Sequence, residues 1–197
     1  EHRIDYAGRL DPLIIADLLA AHAQPVSAES IESFRAGYRE HLTRLVAAPG
    51  VATPCPGVPE LLDALFAIED LRIGLLTGNY ADTGRVKLEA AGIDVDRFHL
   101  HVWGNESPHD PRARDHLPPL GLTRYREMVG ADVAPDRVTI VGDTVHDIAC
   151  GRAHGLRTLG VATGAYDTHT LRSAGADRVE PDLSSTQELV RWLTQMA

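Results

Sequence analysis

Hydrophobic positions in the first fifty residues recur at helical spacing. Leu13, Ile14, Leu18 and Leu19 form an apolar stripe behind Asp11-Pro12, a capping residue followed by proline at the first helical position. Pro25 stops that stripe, and Ser27 can cap a second helix. In it Ile31, Phe34, Tyr38, Leu42 and Leu45 follow at three- and four-residue steps. Residues 49–59 are rich in proline and glycine and read as a linker. Beyond it the pattern changes. Helical segments at 60–67, 84–91, 117–129, up to Gly155, and from Ser185 alternate with short apolar runs at 73–76, 98–103, 138–141 and 156–162. Ser185 and Glu188 fit a capping box. Short strands alternating with helices predict a parallel sheet covered on both faces. The expected architecture is α/β, with a helical domain over residues 1–55 and an α/β core over residues 56–197.

Composition changes this picture little. The 197 residues are 44% hydrophobic and 24% charged, an ordinary globular mixture. Lys plus Arg number 19 against 28 Asp plus Glu, a net charge of −9, which disfavours a nucleic-acid groove or an anionic lipid surface as partner. No apolar run approaches the length of a bilayer span. The two cysteines, Cys55 and Cys150, are too few for a disulfide scaffold, and a cytoplasmic setting is expected.

Ligands of an open parallel sheet bind at the carboxyl ends of its strands. After the run at 73–76 comes Thr77-Gly78-Asn79, a hydroxyl followed by two backbone N–H groups near a helix start, suited to phosphate oxygens. After 138–141 comes Gly142-Asp143-Thr144-Val145-His146-Asp147, which places Asp143 at the strand tip and Asp147 in the first turn of the next helix. Two such carboxylates suit Mg²⁺. The same residues also make sense as helix caps and dipole partners.

Leu76-Thr77-Gly78-Asn79 and, further along, Val141-Gly142-Asp143-Thr144-Val145-His146-Asp147-Ile148 resemble the second and fourth motifs of the haloacid dehalogenase-like (HAD) hydrolase superfamily. Pro56-Gly57-Val58-Pro59-Glu60-Leu61-Leu62 resembles that family's return into its core, and Val161-Ala162-Thr163-Gly164 its strand after the fourth motif. The resemblance implies a Rossmann-like core carrying an inserted helical cap, here incomplete at its N-terminus. It implies Mg²⁺-dependent phosphoryl transfer through an aspartyl-phosphate, on a small phosphorylated metabolite. Thr77, Gly78 and Asn79 would contact the phosphoryl group, and Asp143 and Asp147 the metal. The family's third-motif cation is usually lysine, absent between Trp103 and Val138. Arg114, opening a helix, is the expected substitute, ahead of Arg112 and Arg124. Lys87 is expected mid-helix on the surface. Arg9, before the first cap helix, is a specificity candidate.

The family's first motif, an apolar strand ending in Asp-x-Asp, has no match in residues 1–197. Asp5 and Asp11 follow no apolar strand. The nucleophile is therefore expected upstream of residue 1, on a strand between those ending near Thr77 and Asp143. Alternatively the chain is truncated and inactive, or a non-catalytic HAD-like binding protein. A metal-free haloacid dehalogenase is a further alternative, disfavoured by the acidic pair. His99 and His101 alternate on one strand without a third metal ligand, and His109 and His116 flank the cationic loop.

Overall fold

The computed structural model of the protein describes residues 6–48 and 50–195; Asp5 and Pro49 fall outside them. Helix α1 spans Asp11–Ala21 and α2 spans Ala28–Val46. Ser27 caps α2 as expected, its hydroxyl accepting the Ser30 N–H at 3.1 Å. The start of α1 differs from expectation. Leu10 is its N-cap and Asp11 its first helical residue, which frees the Asp11 carboxylate for contacts outside its own helix. Ile15 and Leu19 of α1 bury themselves against Tyr80, flanked by Ile31 and Phe34 of α2.

The remainder alternates strands and helices: α3 Val58–Phe66, β1 Gly74–Leu76, α4 Ala81–Ala90, β2 Leu100–Val102, α5 Leu117–Val129, β3 Thr139–Gly142, α6 Val145–Ala153, β4 Arg157–Val161, α7 Thr168–Ser173, β5 Arg178–Glu180 and α8 Thr186–Thr194. Helix α7 and strand β5 are additions to the expected set. Asp167 caps α7 by accepting the Thr170 N–H at 2.7 Å, a signal of the usual kind in a helix only six residues long. At α8 the expected capping box is absent. The Ser185 side chain caps nothing, and the Glu188 carboxylate instead accepts from Arg178 at 2.7 Å.

Every strand pairing is parallel, the α/β arrangement the alternation implies. The ladders form two sheets, β1-β2 and β3-β4-β5, and among the described residues β1 and β3 are not bonded to each other. Val141, an apolar residue inside β3, is 44% exposed.

The main core joins Leu61 and Leu65 of α3, Leu159 and Val161 of β4, and Leu183 and Leu189 around α8. A second cluster ties Leu10 to Val102 of β2 and Leu117 of α5, anchoring the N-terminal segment to the other sheet. Each such leucine contributes about 1.5–3 kcal/mol by leaving water. No described helix is long and apolar enough to cross a membrane.

Candidate active site at the strand ends

Strand β1 delivers Thr77-Gly78-Asn79 at its carboxyl end, and β3 delivers Asp143 and Thr144 at its own. Both lead into one cavity of about 410 Å³, which Asp147 and Arg114 also line. Gly8, Arg9 and Asp11 come from the N-terminal segment, and Ile14, Leu18, Phe34 and Tyr38 give an apolar roof. Thr77, Gly78, Asn79, Arg9, Arg114, Asp143 and Asp147, singled out on sequence grounds, thus share a single cavity. Of the three candidate arginines only Arg114 borders it. Arg112 donates to the Asn105 carbonyl, and Arg124 to the His101 carbonyl and the Glu106 carboxylate.

The loop after β1 is fixed from two sides. Thr77 N–H pairs with the Val102 carbonyl at 3.0 Å, and the Thr77 hydroxyl oxygen accepts the Asn79 N–H at 3.2 Å. Asp11 donates its own N–H to the Gly78 carbonyl at 2.8 Å. Its carboxylate accepts from Asn79 Nδ2 at 3.2 Å and from the Tyr80 N–H at 3.1 Å. A Cβ on Gly78 would strike the Arg9 carbonyl oxygen, so only glycine permits this approach. The expectation of two open amides is corrected. The Asn79 N–H is held by Thr77, whereas that of Gly78 has no partner among the described residues.

The two acidic residues differ in what surrounds them. Asp147 is buried, with Oδ1 accepting from Arg114 Nη2 at 2.6 Å and Oδ2 accepting from the Thr144 N–H at 3.1 Å and the Thr144 hydroxyl at 2.7 Å. The Thr144 hydroxyl oxygen in turn accepts the Asp147 N–H at 3.2 Å, closing the first turn of α6. Asp143 is half-buried, and no other described side chain donates to it. Burial holds its carboxyl above the usual carboxylate range, with the negative charge of Asp147 adding to the effect and Arg114 opposing it. Arg114 also donates to the Gly8 carbonyl at 3.2 Å, and its buried Nε has no partner among the described residues.

Among the described residues no three His, Cys, Asp or Glu side chains cluster as a ready-made metal cage. Mg²⁺ rarely uses such a cage; it keeps waters and takes one or two carboxylates plus phosphate oxygens. The donor chemistry here fits that pattern through Asp143. Asp147 departs from the expectation of a second metal-facing carboxylate, because three protein donors already occupy its oxygens.

The four histidines singled out in the sequence make contacts within the scaffold. His99 Nδ1 accepts the Ile73 N–H at 3.0 Å, His101 Nε2 lies 2.8 Å from the Val95 carbonyl, and His116 Nδ1 lies 2.8 Å from the Ser107 hydroxyl. His109 packs edge-on against His116, its ring centroid 4.9 Å away.

Two charged cavity residues escaped the sequence reading. Asp11 reads as a helix cap because Asp-Pro has that signature, yet it serves a loop far along the chain. Lys87 lines the cavity instead of the surface. It stands one turn beyond buried Thr83 on α4, and that spacing was the available signal.

The HAD-hydrolase-like family model matches residues 114–186. The chain is 31% identical over 145 residues to a probable phosphatase, IndB, of Dickeya dadantii, covering 74% of this chain and 57% of that protein. It is 28% identical over 154 residues to a phosphoglycolate phosphatase of Chromobacterium violaceum, covering 78% and 61%. The chain therefore spans about three fifths of the length of these curated relatives. A crystal structure of a hydrolase from Pseudomonas syringae superposes with a TM-score of 0.68 at 23% identity, over 96% of this chain and 81% of that one. Sequence motifs, strand-end cavity and these likenesses converge on the haloacid dehalogenase-like hydrolases, whose family model matches residues 114–186 of this chain.

Proposed function

We propose that the protein is a Mg²⁺-dependent phosphatase acting on a small phosphorylated metabolite through an aspartyl-phosphate. The nucleophile would lie on a strand preceding Glu1 and seated between β1 and β3. The observation that carries this reading is the meeting of Thr77, Arg114 and Asp143 in one cavity, at the ends of strands that do not pair. The exposed Val141 supports it, since a strand beside β3 would cover it. The names of the two curated relatives support phosphate-ester chemistry.

Each residue has a definable part. The Thr77 hydroxyl oxygen accepts from Asn79, which leaves its O–H to donate to a phosphoryl oxygen, beside the Gly78 N–H. Arg114 brings cationic charge to the developing transition state, held in place by Asp147 and the Gly8 carbonyl. Asp143 would hold Mg²⁺, which supplies neutralisation of phosphate charge when bound. Residues 1–55 act as the cap, whose apolar roof excludes water from the cavity over the 56–197 core. Both cysteines are free, and burial pushes the Cys150 thiol up to about 12.

The test is hydrolysis of p-nitrophenyl phosphate by protein that carries the segment preceding residue 1. Activity should require Mg²⁺, stop with EDTA, and vanish in Asp143→Asn. Full activity in that variant overturns the metal assignment. Dehalogenation of a 2-chloro acid in EDTA would point to the metal-free branch of the superfamily instead.

A further inference from the structure

Helices α1 and α2 divide their apolar side chains between two tasks. Ile15 and Leu19 of α1 are buried in the cluster around Tyr80. Ile14 and Leu18, one turn apart on α1, line the cavity with Phe34 and Tyr38, one turn apart on α2. Ile14, Leu18 and Tyr38 are only half-buried, and none belongs to a core cluster formed by the described residues. An apolar group laid over them would take their surface out of water.

The aromatic pair is already set in place. Phe34 and Tyr38 stack with ring centroids 6.5 Å apart and planes inclined at 30°. Lys87 Nζ lies 5.6 Å from the centre of the Tyr38 ring and donates to Asn79 Oδ1 at 3.1 Å, which ties that ring to the loop carrying Thr77. Polar groups are scarce on this side of the cavity. Asp11, at the start of α1, has its carboxylate engaged by Asn79 and Tyr80. Beyond it the Tyr38 hydroxyl is the one polar side-chain group that α1 and α2 bring to the cavity among the described residues. A sugar or polyol lying there would give up hydrogen bonds to water and replace few of them. An aromatic ring has none to lose, and it can stack on Tyr38.

We infer that the protein takes phosphate monoesters whose organic part ends in an aromatic ring, bound by Phe34 and Tyr38 of α2 with Ile14 and Leu18 of α1. This rests on the phosphatase reading and names a substrate class for it. The phosphate goes to Thr77 and Arg114, and the ring to the roof of the same cavity. Its volume of about 410 Å³ lies in the range of small-ligand sites.

Matched probes test this on protein that carries the segment preceding residue 1. Calorimetry with Mg²⁺ present measures binding of 2-phenylethyl-, 3-phenylpropyl- and 4-phenylbutylphosphonate, each beside the same alkyl chain without the ring. At the best spacer the ring should tighten binding about 30-fold, or roughly 2 kcal/mol. Tyr38→Ala and, on the other helix, Leu18→Ala should each narrow that ratio several-fold, whatever they do to phosphonate affinity in general. Tyr38→Phe, which keeps the ring face, should preserve it. Equal binding with and without the ring at every spacer overturns the inference, and is the result expected if the preceding segment itself covers the roof. A ratio that survives both alanine variants overturns it too. So does a higher kcat/KM for glycerol 3-phosphate than for 3-phenylpropyl phosphate. A ring preference in binding with no ester hydrolysed overturns the phosphatase reading alone, whereas hydrolysis without ring preference overturns the aromatic assignment alone.

Discussion

Arg114 Nη2 and Asp147 Oδ1 lie 2.6 Å apart, linking the segment before α5 to the first turn of α6. Their side chains are 17% and 6% exposed, so the pair is largely desolvated. Removing one partner from such a pair leaves an uncompensated charge, at a cost of about 3–5 kcal/mol. Asp147→Ala should therefore destabilise strongly in urea denaturation, and adding Arg114→Ala should recover part of the loss. Arg114→Ala alone should slow ester hydrolysis about 10²–10³-fold if the guanidinium stabilises phosphoryl charge. An unchanged kcat would remove it from that role.

Gly164 leaves room for the Asp143 carboxylate. A Cβ at residue 164 would collide with Asp143 Oδ2. Gly164→Ala should displace the carboxylate and raise the Mg²⁺ concentration needed for half-maximal activity, with a small change in Tm. A Mg²⁺ titration superimposable on the wild type would show that the contact does not matter.

Leu159 is fully buried in β4, between α3 and the segment around α8. Leu159→Ala should lower unfolding free energy by about 2–5 kcal/mol through lost transfer energy plus a cavity. Chemical denaturation with an unchanged m-value checks this.

Glu106 and Arg124 offer a pH handle away from the cavity. The hydrogen bond from Arg124 holds the Glu106 carboxyl below its usual range. A depressed carboxyl stabilises the fold above its unfolded pKa, about 4.3, and that gain is lost as pH falls through the folded value. The pair is roughly a third exposed, so screening keeps the effect modest. The Tm difference between wild type and Glu106→Gln should be present near neutrality and shrink on acidification. A difference independent of pH would contradict the ion pair as its source.

Local chemistry made much of this molecule legible in its sequence. Apolar runs that end in Thr77-Gly78-Asn79 and Gly142-Asp143-Thr144 carry both strand and site, and Ser27 announces its helix through a hydroxyl. Contacts remote in the chain were harder to read. Asp11 bonds to Tyr80, and only the fold brings the two together. Lys87 sits among polar neighbours on α4, which gives it the pattern of a surface lysine, whereas packing against α2 turns it inward. Strand β5 is three residues of mixed polarity, too short for an alternation signal.

The Asp11 carboxylate and the Thr77 hydroxyl engage the amides of Tyr80 and Asn79 before any ligand arrives. That turn consequently loses its conformational entropy when the protein folds, and an arriving anion has little backbone left to immobilise. Substituting Asp11 would shift that ordering from folding to association, so its signature is weaker affinity at a nearly unaltered melting point.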